Sequence, residues 1–208
     1  HTLIEHFQYN LINASCDLAK ERGACDDLIE TKYYRGLLPI DHYKEEVDHL
    51  VEPIYDLDWE SLREKVKEHG LRNSTLSAQM PSESSSVVCN ATNGVEPPRD
   101  YLSIKKSKKG TLKQIVPSYS TLKNHYTLLW NMETMEGYLN IMAVIQKFFD
   151  QSISTNTSYN PQHYENSEVP ASVLIGDILR SYKLGIKTLY YQNTYDGKGD
   201  EEITDKQL

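Results

Sequence analysis

The chain has 208 residues, 22 Lys and Arg against 30 Asp and Glu for a formal charge of −8, and a hydrophobic fraction of 38%. A chain of this length buries roughly 70% of its unfolded surface, which allows one sizeable or two small domains and excludes disorder throughout. No run reaches the ~18 apolar residues of a membrane-spanning helix, and an acidic chain is repelled by a nucleic-acid backbone, so neither membrane nor nucleic acid is an expected partner.

Leu3, Phe7, Leu11, Ala14 and Leu18 recur at helical spacing, which predicts a helix over residues 1–22 with these side chains as its apolar face and Gly23 as its end. His1 stands in the first position, with no charged and then apolar leader after it. The chain therefore reads as an excised piece, and more chain is expected beyond Leu208. Residues 24–57 read as loop-rich, with Asp41 to His49 as one short exposed helix. Asp58 is a predicted N-cap for a helix whose inner face is Trp59, Leu62 and Val66 and whose end is Gly70. From Leu71 to Arg99 both periodicities fade, apart from a short apolar strand over Thr75 to Met80. Tyr101 to Val116 reads as a hairpin turning around Lys108, Lys109 and Gly110, with its lysines keeping an exposed edge soluble. Helices follow over 120–130 and 137–149, the second apolar enough to be buried on most sides. Ile153 to Tyr159 reads as a strand. Pro170 opens a last helix with Val173, Leu174, Ile178 and Tyr182 as its inner face and Gly185 as its end, and Ile186 to Gln192 is the closing strand. With no internal repeat, this alternation gives an α/β fold class.

Three groups of residues could carry chemistry. Pro81-Ser82-Glu83-Ser84-Ser85-Ser86 gathers hydroxyls and backbone N–H groups where a helix begins, the make-up of an anion site; a solvated Ser-rich turn is the alternative. Tyr190 and Tyr191 are adjacent in a strand, where successive side chains leave opposite faces, so one core and one surface ring are expected; rings in contact would mark a backbone irregularity with a function. Tyr33 and Tyr34 read as an ordinary core and surface pair. Glu46 and His49 form one Glu-x-x-His, whereas helical di-iron sites need two such motifs and further carboxylates, so no metal is assigned. Three cysteines, Cys16, Cys25 and Cys89, make no disulfide framework and favour a reducing compartment. Asn13, Asn73, Asn90 and Asn156 each begin an N-x-Ser/Thr triplet, read as chance in loops rich in these residues.

Four motifs in order, Gly70 to Ser77, Met80 to Ser85, Asn90 to Arg99 and Thr188 to Thr194, make the chain resemble the C-terminal part of the large subunit of class Ia ribonucleoside-diphosphate reductases. Lys20 to Cys25, Gly36 to Asp41, Gln146 to Thr157 and Tyr182 to Gln192 agree as well, so the resemblance covers nearly the whole chain. It implies part of a ten-stranded α/β barrel over residues 1–195 and the start of a flexible polar tail over 196–208. It implies that Ser82, Glu83, Ser84 and Ser85 hold the substrate diphosphate and that Tyr190 and Tyr191 relay a radical, Tyr191 on the small-subunit side. Arg99 matches a family arginine near this route.

The implied activity is reduction of ribonucleoside diphosphates to 2′-deoxyribonucleoside diphosphates, dependent on thioredoxin or glutaredoxin acting through a tail outside this sequence. The implied partners are the N-terminal part of the large subunit, the radical-generating small subunit and the nucleotide substrate. The family's catalytic cysteines, Asn and Glu have no match here. No cofactor is expected on this segment: the di-iron tyrosyl radical belongs to the small subunit, and ATP or dNTP effectors to the N-terminal part. Cytoplasmic location is expected, in a host cell if a phage encodes a naturally split subunit. The competing expectation is a module that binds a nucleotide or the small subunit without turnover.

Overall fold

Helix α1 (Thr2–Arg22) ends where Gly23 adopts a left-handed φ of 80° and donates its N–H to the Ala19 carbonyl. In this computed structural model, which describes residues 1–107 and 110–197, α1 is followed by short 3-10 turns and then α2 (Trp59–His69). Asp58 caps α2 by accepting the Ser61 N–H at 3.0 Å, as its place before the apolar run predicts. The remaining elements are α3 (Glu83–Val88), strands β1 (Leu102–Ser107) and β2 (Gly110–Ile115), α4 (Tyr119–Leu122), α5 (Glu136–Phe148), β3 (Thr155–Tyr159), α6 (Ala171–Lys183) and β4 (Leu189–Thr194). β1 and β2 pair antiparallel from Leu102 opposite Ile115 to Ser107 opposite Gly110, the predicted hairpin; the proposed turn residues Lys108 and Lys109 lie outside the described residues. β3 and β4 pair in a second two-stranded sheet. The predicted tail over 196–208 lies outside the described residues from position 198 onward.

The chain forms two compact units. The first comprises His1–Gln79, Leu139–Thr155 and Asp177–Thr188; the second comprises Met80–Tyr138, Asn156–Gly176 and the chain from Leu189. In the first, Ile12, Cys16, Tyr33, Leu38, Trp59, Leu62, Val66, Leu71 and Phe148 make one buried cluster. Asp150 ties three segments of this unit together. Its carboxylate accepts the Tyr33 hydroxyl at 2.9 Å and the N–H groups of Leu76 and Ser77 at 2.7 and 3.0 Å. Gln146 and Lys187 hold the turn after α5, Lys187 by donating to the carbonyls of Phe149, Asp150 and Gln151. In the second unit Leu102, Val116, Leu129, Met135, Tyr138 and Tyr159 are buried.

Several expected elements differ. The inner face of α1 is Glu5, Gln8, Ile12, Ser15, Cys16 and Ala19, while Leu3 and Phe7 are exposed and Phe7 stacks on Phe149 at 5.8 Å. The residues at 5, 8, 12, 15, 16 and 19 also follow a helical period, so the periodicity allowed either face. A buried Glu5 carboxylate decides between them, because one of its oxygens accepts the N–H groups of Asp56 and Leu57 and the indole N–H of Trp59. On α6 Ile178 and Tyr182 are exposed and only Ser181 is buried; Leu184 and Ile186 supply the burial after the chain folds back, with the Ile186 N–H on the Ser181 carbonyl at 3.0 Å. Residues 120–130 form no continuous helix. α4 gives way to a 3-10 turn at Lys123–His125, and a separate turn at Leu129–Asn131 is anchored by the Leu129 N–H on the Pro98 carbonyl. Residues 75–80 make only a single parallel bridge, Gln79 to Ile153, in place of a strand. The 41–49 stretch follows a 3-10 turn at Pro39–Asp41 and contains another at Glu45–His49, with Val47 buried where an exposed helix was expected.

Candidate functional site

The Ser-rich segment does open a helix, α3, with Ser82 at its N-cap and the Ser85 N–H on the Ser82 carbonyl at 2.8 Å. The first turn of any helix has N–H groups without intrahelical acceptors, so the backbone N–H groups ahead of Ser85, whose own N–H is taken by Ser82, point toward the space before the helix. Ser84 and Ser85 are exposed, Ser82 is half-buried and Ser86 is buried. This small, hydroxyl-bearing turn is chemically suited to an anion with several oxygens.

Tyr190 and Tyr191 depart from the regular-strand expectation. Their ring centroids are 4.2 Å apart at an interplanar angle of 54°, their hydroxyl oxygens are 3.4 Å apart, and both rings are more than half exposed. The expected core ring and surface ring are therefore not found at this pair. Tyr33 and Tyr34 do divide in that way, Tyr33 buried on Asp150 and Tyr34 exposed. Burial and the adjacent Asp150 carboxylate push the Tyr33 hydroxyl far above the ordinary phenol range, which leaves it a structural donor.

The neighbouring strand explains how the pair is held. All five residues of β3, Thr155 to Tyr159, are buried although four are polar. Tyr195 donates its N–H to the Tyr159 carbonyl at 2.9 Å, and Tyr191 donates its N–H to the side-chain oxygen of Asn156 at 3.0 Å. The Asn156 amide nitrogen in turn donates to the Glu96 carboxylate. Tyr138, buried beside that carboxylate, has its hydroxyl pushed up by burial first and by the Glu96 charge second. Asn193 donates to the Ser158 hydroxyl at 3.3 Å, Trp130 packs on Tyr195 at 5.3 Å, and Arg99 lies 5.8 Å from the Trp130 ring centroid.

A model of the ribonucleotide reductase barrel domain matches residues 1–192. The chain belongs to that family. It is 56% identical over 208 residues to the ribonucleoside-diphosphate reductase subunit alpha of Buchnera aphidicola subsp. Baizongia pistaciae, covering 100% of this chain and 27% of that protein. Against the ribonucleoside-diphosphate reductase 1 subunit alpha of Escherichia coli K12 the identity is 54%, over 97% of this chain and 26% of the relative. Against the subunit alpha of Enterobacteria phage T4 it is 45%, over 97% and 27%. The chain thus spans about a quarter of the length of the curated relatives it matches. The expected fold class, part of an α/β barrel, follows from the family, and the chain matches a segment of its relatives' alpha subunits.

Sequence reasoning missed Glu96 and Asn156. Asn156 lies in the Gln146 to Thr157 stretch of the resemblance but was given no role beyond the start of an N-x-Ser triplet, and at 7% exposure it is inaccessible to a glycan-transferring enzyme in the folded chain. The available signal was the run Thr155-Asn156-Thr157-Ser158 inside a predicted strand, since buried strands are ordinarily apolar. Among the described residues no group of three or more His, Cys, Asp and Glu side chains could hold a metal ion, and no helix is long and apolar enough to cross a membrane. The cysteines are all free. Burial pushes the thiol of Cys16 up, and Cys16 donates to the Lys65 carbonyl at 3.4 Å.

Proposed function

We propose that this segment supplies two parts of a ribonucleoside-diphosphate reductase: a substrate-diphosphate loop at Ser82, Glu83, Ser84 and Ser85, and a radical relay at Tyr190 and Tyr191. The 3.4 Å approach of the two hydroxyl oxygens is the observation that carries the relay reading. A phenol with a solution pKa of about 10 gives up an electron at neutral pH only if its proton leaves as well. When Tyr191 arrives as the oxygen radical, Tyr190 gives it one electron and one proton. The O–H bond of Tyr190 breaks, that of Tyr191 forms, and the radical now sits on Tyr190. No charge is left behind in that exchange.

The exposure of both rings supports a route that continues to other chains: Tyr191 toward a radical-generating small subunit and Tyr190 toward a cysteine elsewhere in the large subunit. The metal that generates the radical belongs to the small subunit, and effector nucleotides to the N-terminal part of the large subunit. The substrate-reducing cysteines, rereduced by thioredoxin or glutaredoxin, lie outside this segment. Its own free thiols, one buried and pushed away from the thiolate, support that division. The complete reductase works in the cytoplasm.

The test is turnover by the complete reductase carrying Tyr190→Phe or Tyr191→Phe. Each change removes one exposed oxygen and keeps the ring, so assembly and substrate binding are expected to be normal while turnover falls to background. Tyr34→Phe is the matched control and stays active. Near-normal nucleotide reduction by either tyrosine variant refutes the relay.

A further inference from the structure

Adjacent residues in a regular strand present their side chains to opposite faces, yet the Tyr190 and Tyr191 rings stand 4.2 Å apart within β4, so what holds the strand at this pair bears on how the rings meet. The place where this happens is visible in the hydrogen bonds. Tyr195 meets β3 through a main-chain carbonyl, as a ladder should, but Tyr191 meets it through the side chain of Asn156. The Asn156 side chain therefore holds the backbone N–H of Tyr191 from the neighbouring strand, at the residue whose ring meets Tyr190.

The direction of the Asn156 amide is dictated by its two partners. The Glu96 carboxylate can only accept, so it faces the NH2 group; the Tyr191 N–H can only donate, so it faces the oxygen. Asn156 is 7% exposed, so burial of its amide limits competition from water.

We infer that Asn156, oriented by Glu96, is the positioning residue that sets the Tyr190–Tyr191 pair for radical exchange. It acts by placing the Tyr191 backbone, through the hydrogen bond it accepts from that N–H. The inference rests on the relay reading above and names the residue on which its geometry depends. A relay step is sharply sensitive to the separation of the two oxygens, whereas binding of substrate or small subunit is not.

The experiment uses the complete large subunit with its small subunit. Asn156→Leu has nearly the same shape and neither hydrogen-bonding edge. Its kcat is expected to fall on the order of a hundredfold, the effect of misplacing reacting groups by about an ångström, with the substrate KM and small-subunit affinity unchanged. A crystal structure of this variant is expected to show the two rings parted beyond their 4.2 Å spacing. Asn156→Asp keeps an acceptor for Tyr191 but sets a carboxylate against Glu96, and loses kcat similarly. Adding Glu96→Gln to it restores one donor and one acceptor, and kcat returns to within a few-fold of the unmodified enzyme. A role in stability alone would lower the amount of folded enzyme without splitting kcat from KM.

If Asn156→Leu turns over at the normal rate while Tyr191→Phe is inactive, the inference is overturned and the relay stands. If Tyr191→Phe itself is active, the relay fails and takes the inference with it. Where Asn156→Leu does not fold, the swapped pair decides: recovery in the double variant carries the inference, and equal rates in the single and double variants overturn it.

Discussion

Replacing Asp150 by Ala removes the acceptor on which three parts of the first unit converge. The Tyr33 hydroxyl and the N–H groups of Leu76 and Ser77 lose their partner together, and the Ser77 hydroxyl loses a weaker contact at 3.4 Å. Tyr33 and Ser77 are each 4% exposed, so water cannot readily replace the carboxylate there; Leu76 is half-buried and recovers part of its loss. At about 1–3 kcal/mol for each buried donor left unsatisfied, the change is expected to cost about 3–6 kcal/mol, a large share of the roughly 5–15 kcal/mol that stabilises a domain. The damage has a defined location. The Gln151 and Ser154 N–H groups bond the carbonyls of Ser77 and Gln79, and these residues lead into the Met80 to Ser85 stretch.

Two assays read this in the complete subunit, thermal unfolding and amide hydrogen exchange. The variant is expected to melt several degrees lower and to exchange fastest, relative to the parent, at Leu76 and Ser77. Asp150→Asn, which turns one acceptor into a donor facing donors, should fall between the two. A variant that melts with the parent and keeps its protection at Leu76 and Ser77 would refute the reasoning, because no buried donor could then have depended on Asp150.

Changing Ser84 and Ser85 together to Ala removes two hydroxyl donors from the proposed diphosphate loop, each worth about 1.5–3 kcal/mol against a charged acceptor. Affinity should drop equally for all four ribonucleoside diphosphates in equilibrium binding, and a loss confined to one base would place the loop in base selection. Asp41 gives a pH signature. Burial pushes its carboxyl up, but paired bonds from Arg63 and the Leu38 N–H outweigh that and hold it below the usual carboxylate range. A carboxyl depressed in the folded state contributes stability present above its unfolded value, near 3.9, and lost as pH falls through the folded value. Unfolding midpoints measured below about pH 4 should therefore fall less steeply for Asp41→Asn than for the parent, and superimposable curves would sink this assignment.

Much of the local architecture was legible without coordinates. Asp58 and Gly70 bracket α2, Gly23 ends α1, Pro170 opens α6, and the alternation around residues 101–116 pairs as β1 and β2. These are decisions made within a few residues, by the orphan N–H and C=O groups of helix ends and by the two-residue period of a strand. The family was legible as well, because four ordered motifs mark it, and with them came Ser82 to Ser85 and the tyrosine pair as candidates.

Other features depend on residues far apart in the sequence, and only the folded chain decides those. α1 offers two helical stripes of similar regularity, and the polar one is buried because Glu5 meets donors 51 to 54 positions away. Strand periodicity alone would set Tyr190 and Tyr191 apart. They meet in the structure, with Tyr191 bonded to an asparagine 35 positions earlier that is itself held by a glutamate 60 positions before it. A hydrogen bond satisfied across that distance leaves no periodic trace in the sequence. Its donor and acceptor are matched by the path of the backbone between them, which is why the tertiary structure alone reveals Asn156.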